Sequence, residues 1–490
     1  MKRLYLYMLL SCAVLWSSCN DWLDVRPQAQ VESDDLYKNA KGFEDALTAC
    51  YIKLKSPSLY GVNLTMTVTE YLAQHWDHES ANYRDEEKLK NFDYTTQYAE
   101  DVFISIYSEM YNTIAQANSI LENMPVHGEV IQDEALRHLI EAEALSIRAF
   151  CHTDVLRLFG QMPRNATRSV QLPYAKTVST AMVPYYSYAE FVSLILEDIE
   201  AAQALFETCD PLMDYNYIES ERFQSTGYEH VGIEDLFLGF RRFRFNYYAL
   251  EALKARLYCY TGNKELARMA ANNVIQARNK AGDAMISLAG TEDFNSKYYA
   301  LPTECLLALS DNELEDNTGS LFSYRGLYLT PTHYNELFNG QSTDINNRAI
   351  YVWILQKNSQ GTELRNFRKY LQPKSEDVSD ETSLDLRYHV IPLIRLSEMY
   401  LIAMENAASV EEANGLYKTY MEARNVAVKD LTSAELSEEI LKEYRREFFG
   451  EGQMFYVYKR LGIKKMLWKT DREVEEKDYI VPLPSSELGV

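Results

Sequence analysis

Long apolar runs are nearly missing from this 490-residue chain. Past residue 19 no stretch approaches the ~20 apolar residues that crossing about 30 Å of hydrocarbon takes, which excludes a helical membrane-spanning body. The one sustained run, from Leu4 to Trp16, is too short to span. Cysteine is sparse: seven residues, widely spaced, with no C-x-x-C. That excludes a disulfide framework and gives no sign of zinc or redox work. Cys50, Cys151 and Cys259 fall in helical apolar patterns, where a free cysteine acts as a small hydrophobe. Positive charge is also short, with 49 Lys and Arg against 72 Asp and Glu, a formal charge of −23. Losing Lys2 and Arg3 takes it to −25, because residues 1–18 hold no acid. Such a surface repels nucleic acid and anionic headgroups, while a neutral ligand such as a sugar suits it. No G-x-S-x-G, P-loop, Rossmann fingerprint or H-E-x-x-H occurs. Nothing asks for a cofactor, and 72 carboxylates make paired acids a chance event rather than a catalytic signal.

What is present begins at the N-terminus. Lys2 and Arg3, the apolar run, then Ser17-Ser18-Cys19 read as a lipoprotein signal peptide over 1–18, with Cys19 the lipidated first residue of the mature chain. Two or three acyl chains, each buried CH₂ contributing roughly 0.8 kcal/mol, anchor a protein stably. Leu9-Leu10-Ser11-Cys12 is a rival box with a very short apolar run, and an ordinary signal peptide cut nearby is the competing reading. Residues 19–33 read as a tether and 34–490 as a single α-rich domain.

Helical periodicity dominates that body. Leu136, Ile140, Ala144, Ile147, Cys151, Val155 and Leu158 form one stripe over 132–160, stopped by Gly160. Phe191, Leu194, Ile195, Ile199, Ala202 and Leu205 form another over 187–206, and Leu393, Leu396, Tyr400, Ala403 and Ala407 a third over 392–408. Further helices are expected over 34–55, 99–124, 243–261, 264–281, 411–426 and 433–461. The pair 243–261 and 264–281, hinged at Gly262-Asn263, reads like a tetratricopeptide unit, and 392–408 with 411–426 looks similar. Between helices lie long segments without helical pattern: 56–98, 161–186, 207–240 and 282–390. Segments of that length are usually functional or hold small extra elements. Cys305–Leu309 and Ile350–Leu355 are expected as short strands.

Several stretches together resemble the SusD/RagB family, outer-membrane lipoproteins of Bacteroidota that capture nutrients, mostly glycans, for a TonB-dependent transporter. They are Cys19-Asn20-Asp21-Trp22-Leu23-Asp24, Glu141–Gly160, 249–275, Ile394–Ala403, Arg445-Arg446-Glu447-Phe448-Phe449-Gly450-Glu451-Gly452, and Tyr479-Ile480-Val481-Pro482-Leu483-Pro484. Tyr444 departs from the family block, which usually has Glu there, as do Gln453 and Phe455. The resemblance implies a mainly α, SusD-like fold: four tetratricopeptide-like helix pairs as scaffold, with an irregular loop-built ligand face from insertions near 56–98 and 282–390. It also implies a SusC-like TonB-dependent transporter as partner, with Asp21 and Asp24 as the signal that sends the lipoprotein to the cell surface.

On that face, exposed aromatics are the binding candidates. Tyrosine is abundant at 37 residues, a flat apolar ring with a water-tolerant hydroxyl. Trp76 ranks first, with Tyr83 in the same loop; Tyr298, Tyr299, Tyr324, Tyr328 and Tyr334 follow, with Arg325 as a hydroxyl partner. Trp353 reads as core. His75-Trp76-Asp77-His78-Glu79 carries two histidines at i, i+3, which an exposed loop of mixed polarity accounts for better than metal does, and Asp311 to Asn317 is rich in oxygen ligands for Ca²⁺ but lacks the EF-hand spacing. The expected function is capture of oligosaccharide without chemistry. The alternatives are an oligopeptide or glycopeptide binder of the RagB kind and a lipid-anchored glycoside hydrolase.

Overall fold

The computed structural model describes residues 35–78, 83–165, 169–179, 184–213, 237, 241–322, 326–338, 348–358, 360–371, 387–469 and 471–484. Residues 1–34, with Cys19, lie outside the described residues, as do Glu79, Tyr324 and Arg325. No described helix is long and apolar enough to cross a membrane.

The fold is mainly helical. Ten helices carry it: α1 (Ala40–Leu54), α2 (Gln97–His127), α3 (Glu134–Phe159), α4 (Tyr188–Cys209), α5 (Tyr247–Thr261), α6 (Lys264–Ile275), α7 (Leu396–Glu405), α8 (Val410–Ala423), α9 (Ser433–Glu447) and α10 (Met454–Leu461). Successive helices pack on each other: α1 on α2, α2 on α3, α3 on α4, α5 on α6, and α7 on both α6 and α8. Side-chain caps start them. Asp133 accepts from Ala135 and Leu136 N–H at α3, and Ser187 with Glu190 forms a capping box at α4. Gly262, at φ 84°, ends α5 in the left-handed conformation that turns the chain into α6.

Helix α3 departs from a one-sided stripe. From Ser146 to Phe159 every residue is buried, so its charges sit inside and are paired there. Arg148 grips the Asp198 carboxylate with two bonds of 2.7 and 2.6 Å, and Arg157 meets Asp154 at 2.6 Å. Buried charge is tolerated only when paired in this way.

Among the described residues there are seven short strands. β1 (Ser169–Pro173) pairs β2 (Tyr185–Ser187), and β3 (Cys305–Ser310) pairs β7 (Val390–Arg395), both antiparallel. β4 (Tyr328–Leu329), β6 (Glu363–Phe367) and β5 (Trp353–Lys357) form a three-stranded antiparallel sheet in that order.

Three expectations are corrected. The helix expected over 392–408 begins only at Leu396, because 390–395 is strand β7, buried at every residue. A fully buried strand has no alternation to distinguish it from a buried helix, and Pro392 was the local sign against helix. The segment 433–461 is two helices. Gly450 and Gly452 (φ 73° and 72°) break it, and a Cβ at Gly452 would lie 1.8 Å from the Leu64 carbonyl oxygen. The expected strand at Ile350–Leu355 starts at Trp353, since Ile350–Val352 is helical.

Helix α10 brings Lys459 inside, where its Nζ donates to the Leu158 carbonyl at the end of α3, 2.8 Å away. Burial alone pulls this ammonium down to about 7 from 10.5. Between those values the unfolded chain holds a proton that the folded chain has shed, so this group makes stability rise with pH. The rise is at most about 1.4 kcal/mol per pH unit for one proton. Lys459→Met should lose it. Urea denaturation at pH 7.5 and 9.5 should show wild type gaining about 2–3 kcal/mol relative to the variant across that interval.

Candidate functional site

The loop after α1 and the long central segment meet at Asp77. Its backbone N–H donates to the Tyr328 carbonyl at 3.0 Å, and the Tyr328 N–H donates back at 3.1 Å. Its carboxylate accepts from the Thr330 N–H at 2.8 Å and lies 2.8 Å from His333 Nδ1 through each oxygen. A carboxylate only accepts, so the proton sits on Nδ1 of that ring. Burial of Asp77 works to raise its pKa, yet the His333 ring and the Thr330 N–H outweigh it and hold the carboxyl below the usual carboxylate range.

A third segment closes the junction. Gly462 ends α10, and the chain after it carries Trp468, half-buried and at φ 70°. A bulky residue in the left-handed region is an outlier that points to function. The indole stacks on His333, centroids 4.6 Å apart and planes 21° apart, and its Nε1 donates to Glu336 at 2.8 Å. Beside this group His78 packs on the half-buried Tyr83, rings 5.0 Å apart. Burial and the nearby Lys90 ammonium hold the His78 ring below its ordinary pKa. The cations here are largely engaged: Lys90 donates to the Trp76 carbonyl at 2.6 Å, Lys469 to Asn91 at 2.6 Å, and Arg472 to Asp478 at 2.6 Å. The surface is therefore a partly wet aromatic plate edged by carboxylates. A carboxylate accepts hydroxyl protons, and an aromatic plate packs against apolar ring faces. Asp77, held ionised, is poorly suited to give up a proton as a general acid, which needs a raised pKa.

Trp76 is corrected. It is wholly buried, its Nε1 donating to the Met66 carbonyl at 2.8 Å, and it packs among Phe322, Trp353, Phe367 and Phe449 at centroid distances of 4.8–6.1 Å. No face is left for a sugar. Trp76→Ala should lower stability by about 3–5 kcal/mol, the usual cost of emptying an aromatic core site; the denaturation midpoint reads this directly. Two further candidates are also buried. Tyr299 lies under Arg368, whose Nη2 donates to its hydroxyl at 2.8 Å, within a separate small cluster containing Phe294 and Leu301. Tyr334 packs on Phe338 and Trp353 beneath Arg365. Tyr298 and Tyr328 are half-buried, and only Tyr328 is tied to the Asp77 junction. Trp353 is core, 4% exposed.

The two histidines of the 75–79 cluster do not converge. His75 is buried with Nδ1 2.7 Å from Glu70, its ring stacked on Phe449. Among the described residues no group of three or more His, Cys, Asp or Glu could hold a metal ion. In the acidic stretch 311–317, Asp311 faces Lys55 at 3.1 Å and accepts from Asn317 at 3.3 Å. Sequence reasoning missed Trp468 and His333. The available signal was a lone tryptophan amid lysines, Lys464-Lys465-Met466-Leu467-Trp468-Lys469, just past a glycine helix stop.

Residues 21–210 match a SusD-like family model described as starch-binding and associating with the outer membrane, and residues 310–485 match the SusD family model. The chain belongs to the SusD/RagB family. Its fold agrees: a SusD superfamily protein from Bacteroides thetaiotaomicron superposes with TM-score 0.68 at 19% identity, covering 92% of this chain and 98% of that one. One from Bacteroides vulgatus gives 0.66 at 18% (92% and 97%), and a laminarin-binding SusD-like protein 0.64 at 16% (92% and 98%). A curated relative, SusD-like protein P25 of Formosa agariphila, is 25% identical over 175 residues, 32% of this chain and 30% of its own length. The chain thus spans under a third of that curated relative. In this SusD/RagB chain the Arg445–Gly452 block is interior, with Gly450 and Gly452 donating backbone N–H to buried Glu70 at 3.1 and 2.9 Å.

Proposed function

We propose that this protein captures oligosaccharide at the cell surface and performs no chemistry on it. A TonB-dependent outer-membrane transporter then receives the sugar, and lipid on Cys19 keeps the two together. The observation that carries the reading is the Trp468–His333 stack edged by Asp77 and Glu336. It offers a flat apolar plate, steadied from behind by Asp77, and a hydroxyl acceptor in Glu336 on one partly exposed surface, the combination a sugar ring requires. The family match supports the ligand class and the outer-membrane setting. The excess of acid, 72 carboxylates against 49 cations, favours a neutral glycan over a polyanionic one.

The test is a glycan array followed by calorimetry on the chain from residue 19 carrying Cys19→Ser. Binding of neutral oligosaccharides, with no product released on long incubation, is expected. Binding of peptides instead would place the protein with oligopeptide carriers, and released sugars would make it a hydrolase. The lipid is tested by labelling with a radioactive fatty acid, which Cys19→Ala should abolish.

A further inference from the structure

We propose that Asp77 is the positioning residue of the Trp468 platform, the part that transmits the rigidity of the core to a surface indole. The inference rests on the reading of that platform as the ligand surface. Asp77 stands next to Trp76, which is locked in the core by the Met66 carbonyl and by four aromatic neighbours. The Trp76 carbonyl is itself held by Lys90. From that fixed point Asp77 reaches outward in two ways. Its backbone pairs with Tyr328, which sets the position of the central segment. Its carboxylate accepts from the Thr330 N–H and faces the single His333 Nδ1–H with both oxygens at 2.8 Å, which sets the tilt of that ring.

The imidazole is the surface on which Trp468 lies, 4.6 Å away and 21° from parallel. Trp468 sits in a backbone conformation that bulky residues rarely adopt, so the loop after α10 does not hold it there by local preference. Two contacts from the central segment do so: the His333 stack and the Glu336 hydrogen bond. Asp77 controls the first of these. It touches no ligand on this account and acts through His333.

Indole fluorescence reads the arrangement without any glycan. An indole covered on one face by a stacked ring is reached less often by a dissolved quencher such as acrylamide. His333 covers Trp468 in this way, and His75 lies edge-on to the same indole at 6.4 Å. In the Cys19→Ser chain at pH 7.5, His333→Gln should raise the acrylamide quenching constant of the Trp468 emission at least twofold, and Trp468→Phe should remove that component. Asp77→Asn keeps the shape but loses the charge-assisted grip, and should raise the quenching constant of that component at least twofold. It should also weaken glycan binding fivefold or more while the thermal midpoint moves little.

If Asp77→Asn unfolds the loop, the cycle is run with Asp77→Glu, where the pairing of Asp77 and His333 substitutions should be non-additive. An unchanged quenching constant in a folded Asp77 variant would overturn the proposal. A raised quenching constant with unchanged glycan affinity would uphold the positioning role and overturn the reading of the platform as the ligand surface.

Discussion

Replacing Arg395 with methionine is expected to lower unfolding free energy by about 3–5 kcal/mol, the cost of removing one partner from a buried ionic group. Arg395 is 1% exposed at the end of β7. Its Nη1 meets Glu304 and, at 2.7 Å, Glu447, while Nε and Nη2 grip Glu451 at 2.9 and 2.8 Å. Arg424 donates to Glu304 at 2.9 Å and Glu447 at 2.8 Å, Arg348 to Glu443 at 2.8 Å, Arg446 to Glu443 at 2.6 Å and Glu439 at 2.9 Å, and Lys369 to Glu451. The cations Arg348, Lys369, Arg395, Arg424 and Arg446 balance the anions Glu304, Glu439, Glu443, Glu447 and Glu451. The three Arg395 partners would be left with one neighbouring cation too few. The cations beside Glu447 hold its carboxyl well below the usual range against the opposing push of burial, so it stays charged when a partner is lost. Urea denaturation followed by circular dichroism should show the midpoint fall at neutral pH. Lys176→Met, at the exposed pair with Glu197, should leave it unchanged.

Trp468→Ala is expected to reduce glycan affinity by about 1–3 kcal/mol, or about 5- to 150-fold, the range for truncating an aromatic anchor. Stability should fall by about 1 kcal/mol or less, because the ring is half in solvent and shapes no core site. Trp76→Ala should do the reverse: a large loss of stability, with affinity in the fraction that remains folded falling less than in Trp468→Ala, since Trp76 reaches the platform only through Asp77. The two tryptophans therefore separate packing from binding in one pair of experiments, with calorimetry for affinity and the denaturation midpoint for stability. Equal loss of affinity in both would return the binding role to the loop as a whole.

Much of the scaffold was legible because its information is local. The stripe over 187–206 places the start of α4 within one residue and its end within three. Gly262 and Asn263 show where α5 gives way to α6. What was not legible depends on distant partners. Residues 390–395 are strand because β3 lies alongside, 80 residues earlier at Ser310↔Val390 and 90 at Cys305↔Arg395, and no local period records that. The Arg445–Gly452 block showed its charges but not their partners, since Arg395 and Arg424, which hold Glu447, come from elsewhere in the chain. The site failed for the same reason. Trp76 and Trp468 both sit among polar neighbours in irregular segments; one turns inward to the Met66 carbonyl and the other outward to Glu336. The loop that carries Trp76 meets the central segment through Asp77 beside it, not through the indole.

The most direct measurement of the central claim is a crystal structure of the Cys19→Ser chain with the neutral oligosaccharide that binds it most tightly. The account predicts a sugar ring in van der Waals contact with the Trp468 indole, about 4 Å away, with hydroxyls on the exposed Glu336 carboxylate. An oligosaccharide seated elsewhere, with Trp468 uncovered, would contradict it.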